Sequence, residues 1–159
     1  MFLCLDSNQK SQGVPLYPDN TATLFTCSLP EHFRLNALGR GQGRWHLGLT
    51  DIALPAMKKG RKWDSIYVCC SACEVSCVGQ SYKPVVASFS LGEIKRNNFV
   101  RFPSVHFVPL RVNNLSEITV EICGSNDDSL EELNACGPDL VSRCTFELRW
   151  IANSSPQLS

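Results

Sequence analysis

Cysteine supplies most of the candidate chemistry in this sequence. Nine cysteines occur in 159 residues, and an odd number cannot all pair within one chain. Four of them lie in Cys69-Cys70-Ser71-Ala72-Cys73-Glu74-Val75-Ser76-Cys77. Cys70-x-x-Cys73 and Cys73-x-x-x-Cys77 have spacings used at structural zinc sites, so Cys69, Cys70, Cys73 and Cys77 are the metal candidates. The competing reading is packing. The run follows the β-like Ile66-Tyr67-Val68. If that strand continues, Cys69, Ser71, Cys73, Val75 and Cys77 share one face and Cys70, Ala72, Glu74 and Ser76 the other. Cysteine then serves as a small buried hydrophobe. Packing is the preferred reading, so no metal and no cofactor is assigned. A redox Cys-x-x-Cys opens a helix, and no helix signal follows here.

Other chemistry-bearing residues form no constellation. His32, His46 and His106 are scattered, and no His-Glu-x-x-His or Gly-x-Ser-x-Gly motif occurs. Gly39-Arg40-Gly41-Gln42-Gly43-Arg44 lacks the Gly-Lys-Ser/Thr ending of a phosphate loop and runs into the strand-like Trp45-His46-Leu47. Lys58-Lys59-Gly60-Arg61-Lys62 is a local basic run, balanced elsewhere by Asp127, Asp128, Glu131 and Glu132. These read as solvated loops or as complementary patches between neighbouring subunits. No nucleophile, base and orienter set is visible, so no catalytic residue is assigned and the chain is read as a non-enzyme.

The elements that must position these residues are strands. Phe25, Cys27 and Leu29 alternate with Leu24, Thr26 and Ser28. Trp45, Leu47 and Leu49 alternate with His46, Gly48 and Thr50. The same period of two runs through Ile118, Val120 and Ile122, and through Cys144, Phe146, Leu148 and Trp150. Further β-rich runs lie at residues 66–70, 85–89 and 99–110, separated by turn signals. This predicts an all-β fold: an antiparallel β-sandwich or single jelly roll of about eight strands over residues 1–152. Residues 153–159 form a polar C-terminal tail. At most one short helix is expected, in a loop, where Ser129-Leu130-Glu131-Glu132 has capping-box form.

Composition narrows the class. The length suits one domain. Lys and Arg number 15 against 15 Asp and Glu, which excludes a dedicated nucleic-acid binder driven by phosphate electrostatics. No apolar run reaches the roughly 18 residues of a membrane span. The start, Met1-Phe2-Leu3-Cys4-Leu5-Asp6, has no basic region and is apolar for only five residues. It is not expected to act as a signal peptide. Synthesis in the cytosol would keep the thiols reduced. The sequons at Asn114 and Asn153 are then chance matches. Phe2, Leu3 and Leu5 precede the first strong strand signal and are expected to form an arm on a neighbour.

The order of motifs resembles a known family. Tyr17-Pro18-Asp19-Asn20-Thr21 precedes Phe25-Thr26-Cys27-Ser28-Leu29-Pro30, and Trp45-His46-Leu47-Gly48-Leu49 leads to Pro55. Ile66-Tyr67-Val68, Val78-Gly79-Gln80, Lys83-Pro84-Val85-Val86, residues 102–110 and Phe146-Glu147-Leu148-Arg149-Trp150 follow. This series, from about residue 16 to residue 150, is similar to that of the penton-type minor capsid proteins of Polinton/Maverick elements and adintoviruses. Three departures stand out: cysteines replace the polar run after Ile66-Tyr67-Val68, Gln80 stands for the turn aspartate, and the loop 124–136 is enlarged.

The resemblance implies a single jelly roll that forms a homopentamer at capsid vertices beside a double-jelly-roll major capsid protein. It also implies a virion component, made in the host cytoplasm and assembled in the host nucleus. No catalytic residue is carried over. Two alternatives from another class stand beside it: a partner- or ligand-binding sandwich such as a TNF- or C1q-like trimer, and a zinc-stabilised module using the Cys69–Cys77 cluster.

Overall fold

A computed structural model describes residues 1–29, 43–55, 65–78, 81–94, 98–111, 115–124 and 141–152. The strands are β1 (Phe2–Asp6), β2 (Lys10–Ser11), β3 (Val14–Pro15), β4 (Leu24–Ser28), β5 (Gly43–Ala53), β6 (Ser65–Cys70) and β7 (Ser76–Val78). They continue with β8 (Ser81–Lys83), β9 (Val85–Ser90), β10 (Phe99–Arg101), β11 (Val108–Pro109), β12 (Glu117–Gly124) and β13 (Arg143–Ala152). One sheet has the order β1-β13-β5-β10, with β11 also on β5; the other has the order β4-β12-β6-β9. Two short hairpins, β2-β3 and β7-β8, stand outside both sheets.

Strand order identifies the topology. Set the hairpins aside and let β10 and β11 share one position on β5. The two sheets then read 1-8-3-6 and 2-7-4-5 in chain order. Position 1 pairs with 8, 2 with 7, 3 with 6 and 4 with 5, all antiparallel. That is one long hairpin rolled up into two sheets, a jelly roll. The eight expected strands are these eight positions; the short hairpins and the divided sixth position raise the number described to thirteen.

The core between the sheets follows the alternation. Phe25, Cys27, Ile118, Val120, Ile122, Cys144, Phe146 and Leu148 are all buried. On β5 the periodicity breaks. Leu47 and Leu49 face the core, and so do Ile52 and Leu54. Pairing with β13 shifts between Thr145 and Phe146, which leaves Thr50 as the extra residue of a β-bulge. The Thr50 hydroxyl donates to the Thr145 carbonyl at 2.9 Å. The bulge reverses which residues face inward, so both halves of the long strand feed one core.

Two expectations need correction. Leu3 and Leu5 are not an arm: β1 pairs with β13 of its own chain and buries both. The Cys69–Cys77 run is not one strand: β6 stops at Cys70, Ser71 and Ala72 form a turn, and β7 starts at Ser76. The helix expected at residues 129–132 and the tail 153–159 lie outside the described residues. Among the described residues the only helical segment is a 3-10 turn at Leu91–Glu93.

Two short motifs have clear physical causes. The β2-β3 hairpin turns on Gln12 and Gly13, with φ of 50° and 83°. Positive φ at both central residues is the type I′ pattern, whose twist suits a two-residue hairpin. Gly48 lies under the segment that joins β10 to β11. A Cβ there would run into Val105 Cγ1 and the His106 carbonyl.

Candidate functional site

The four cysteines of the 69–77 run divide between two faces. Cys70 and Cys73 are fully buried and belong to the core cluster. Cys69 is also buried, but strand alternation turns it to the opposite face of the β4-β12-β6-β9 sheet, beside Cys123 of β12. Cys77 is exposed on β7. The zinc candidates therefore do not converge. Among the described residues, no group of three or more His, Cys, Asp or Glu is arranged to hold a metal ion.

Buried Cys27, Cys69, Cys70, Cys73 and Cys123 each have a local partner. The Cys69 thiol donates to Cys123, and this bond, with burial, pushes Cys69 well above the ordinary thiol range. Lys83 of β8 places Nζ 3.8 Å from Cys123 Sγ and 3.3 Å from Glu121 Oε1. Cys73 donates to Cys70, which raises Cys73 and lowers Cys70; the Ala72 and Cys73 amides also lower Cys70. In Cys27, burial raises the thiol to about 11, while its Sγ donates to the Asp6 carbonyl at 3.3 Å. That last contact joins β4 to the end of β1.

The remaining sequence candidates stay dispersed. His106 is exposed in the β10–β11 connection. His46 Nδ1 lies 3.0 Å from the Arg44 carbonyl. Residues 30–42 and 56–64, which include His32, most of the glycine loop and the basic run, lie outside the described residues, as do Asp127, Asp128, Glu131 and Glu132.

The sandwich has two open sides of different character. Along the β9 and β10 side runs a groove of about 310 Å³, lined in part by Leu49, Ser76, Val86, Ser88, Phe102 and His106. Its exposed lining residues include Ser76, Ser88, Ser104 and His106. The β1 and β4 side mixes exposed apolar residues with exposed Asn8, Lys10, Ser11, Gln12 and Asp19. Met1, Phe2, Val14, Leu16 and Leu24 are exposed along it, with Phe2 at 64% and Val14 at 66%. Elsewhere among the described residues, the exposed large hydrophobics are Val75, Tyr82 and Ile151.

The edge of β4 is closed by side chains that imitate a neighbouring strand. Asn20 Nδ2 donates to the Thr26 carbonyl at 2.8 Å, and the Thr26 amide donates to Asn20 Oδ1 at 2.8 Å. Gln9 does the same at Ser28, at 3.1 and 3.0 Å. This accounts for Asn20 in the Tyr17–Thr21 motif: it satisfies backbone that would otherwise template another strand. Tyr17 packs nearby and donates its hydroxyl to Glu117 Oε1 at 2.6 Å, a bond that raises its pKa. Among the described residues, β1 ends its sheet with no strand beyond it.

No protein-family model matches the sequence, and no curated protein matches it. No helix among the described residues is long and apolar enough to cross a membrane.

Residue patterns missed part of this surface. Leu24 was assigned outward by alternation, and it is exposed. Val14 and Leu16 follow the Gln12-Gly13 turn in a hairpin too short for a period of two to mark. Cys123 shares the parity of Thr119 and Glu121, which assigns its face. Its contact with Cys69 depends on the β6-β12 register, which no local pattern carries.

Proposed function

We propose that this chain is a structural capsid subunit of the penton type, a jelly roll that closes into a homopentamer at the vertex of an icosahedral particle. One observation carries the reading: the 1-8-3-6 and 2-7-4-5 strand order, an architecture used by viral capsid domains. Exposed Met1, Phe2, Val14, Leu16 and Leu24, borne by β1, the β2-β3 hairpin and β4, support it, since large apolar side chains in solvent favour a partner. Zero formal net charge is compatible with packing like copies together. A five-fold ring uses heterologous contacts: the β1 and β4 side of one subunit meets a different surface of the next. The double-jelly-roll major capsid protein would surround the ring. The protein would be made in the host cytoplasm and reside in the virion after assembly in the nucleus.

Lectins and cupins also use this architecture, and the groove beside His106 favours a second reading as a ligand-binding sandwich. Negative-stain electron microscopy of the purified full chain separates the two. Five-fold rings are expected. Uniform monomers, or trimers of the TNF or C1q kind, would overturn the capsid reading in favour of the binding module.

A further inference from the structure

Cys70 and Cys73 lie three residues apart across a tight turn. The Cys73 amide donates to the Cys70 carbonyl at 3.1 Å, closing a β-turn. Such a turn holds its first and fourth Cα atoms within about 7 Å, and a disulfide needs roughly 4.4–6.8 Å. Both side chains are turned into the same core cluster. The backbone around them is held on every side. Cys70 donates its amide to Pro84, Ser71 to Thr119 and Glu74 to Pro109, while Arg111 donates to Ala72. Cys73 also forms a β-bridge with Leu110. The turn thus joins β6 to β12 within one sheet and to β11 of the other.

We propose that Cys70 and Cys73 form a redox-closable pair: a small two-electron oxidant such as hydrogen peroxide converts them to a disulfide in place, stapling the turn that ties the two sheets together. The Cys70 thiolate attacks one peroxide oxygen, the O–O bond breaks, and a sulfenic acid and hydroxide result. The Cys73 sulfur then attacks the Cys70 sulfur, the S–O bond breaks, and a second hydroxide leaves. The two thiol protons convert both hydroxides to water. Two sulfurs are oxidised by one electron each, and one peroxide is reduced to two waters. Hydrogen bonds from the Cys73 thiol and from the Ala72 and Cys73 amides favour Cys70 as the attacking thiolate. Burial demands a small oxidant and makes the reaction slow, which separates this pair from exposed Cys4 and Cys77.

Cys69 and Cys123 provide the internal contrast. They sit on separate strands, offset diagonally in the β6-β12 register, where Cys69 faces Glu121 and Cys123 faces Tyr67. Diagonal neighbours in a sheet are about 7–8 Å apart, beyond the usual disulfide range.

Peptide mapping after peroxide treatment tests the pairing. The folded protein is treated, denatured, alkylated and digested, and fragmentation of the peptide spanning residues 65–83 locates any bond. A Cys70–Cys73 bond is expected, with Cys69 and Cys123 alkylated. The melting temperature should rise by about 5 °C, the scale for closing a loop of about four residues in a domain this size. Dithiothreitol should reverse the rise. Alkylation at both Cys70 and Cys73, or their pairing with Cys69, Cys77 or Cys123 instead, would overturn the proposal. In Cys73→Ser the bond and the temperature rise should both disappear. If that variant does not fold, the wild-type peptide map still decides.

Discussion

The two open sides of this sandwich solve the same problem differently. Along β9 and β10, the sheet edges border a groove with serines and His106 at its mouth, groups that water satisfies. Along β1 and β4, Gln9 and Asn20 close the β4 backbone edge while Phe2, Val14, Leu16 and Leu24 remain in solvent. Closing the backbone discourages strand addition, and exposed apolar side chains invite a shaped partner. The difference teaches that the β4 backbone edge is capped while apolar side chains beside it stay exposed, an arrangement the proposed subunit contact would use.

The largest expected effect comes from placing a charge at exposed Phe2 on the β1 and β4 side. Phe2→Asp should weaken self-assembly by roughly 30-fold or more, the scale of a single interface anchor at about 2 kcal/mol. Phe2 is 64% exposed, so the fold should stay within about 0.5 kcal/mol of wild type. Concentration-dependent sedimentation beside a denaturant melt measures both. Equal loss of assembly and stability would erase the distinction between a docking residue and a structural one.

Alkaline pH should act next, through the buried Cys27 thiol of β4. Cys27 is raised from 9.0 to about 11 by burial. Its folded pKa exceeds its unfolded value, so its contribution is complete below pH 9 and is lost as pH rises from about 9 to 11. The loss should approach about 2–3 kcal/mol by pH 11, at about 1.4 kcal/mol per pKa unit. Cys144, also raised by burial, shifts stability in the same direction. Under reducing conditions, Cys27→Ala should flatten the Cys27 part of the slope in denaturant melts from pH 8 to 11; an unchanged slope would remove Cys27 from the account.

Asn20→Ala should cost about 1–2 kcal/mol, because two bonds that close the β4 edge are lost. It should also raise aggregation in light scattering, because Thr26 regains a free backbone edge. The smallest effect is expected on the opposite side. His106→Ala should leave stability within about 0.5 kcal/mol and assembly unchanged, since His106 is exposed beside the groove. Loss of assembly in that variant would move the contact surface to the groove.

Much of the fold was legible because burial on one face writes a period of two into the sequence. Phe25 and Cys27, Ile118 to Ile122, and Cys144 to Leu148 all faced the core as their spacing required. Irregularity hid the rest. The Thr50 bulge reverses the parity of β5, and no residue type announces it. The turn at Ser71-Ala72 contains neither glycine nor proline, so the cysteine run looked like one strand. Leu3 and Leu5 alternate correctly, but only pairing with β13, about 140 residues away in sequence, makes them core. The divergent faces of Cys69 and Cys70 follow from the pleat alone. Their separate partners, Cys123 and Cys73, depend on the sheet register and on that turn.

Native mass spectrometry of the full chain beside Phe2→Asp tests the central claim most directly, because it counts copies. The account predicts that wild-type protein at tens of micromolar has the mass of five chains and that the variant has the mass of one. Wild-type protein that remains a single chain at that concentration, or forms an assembly of other than five copies, would contradict it.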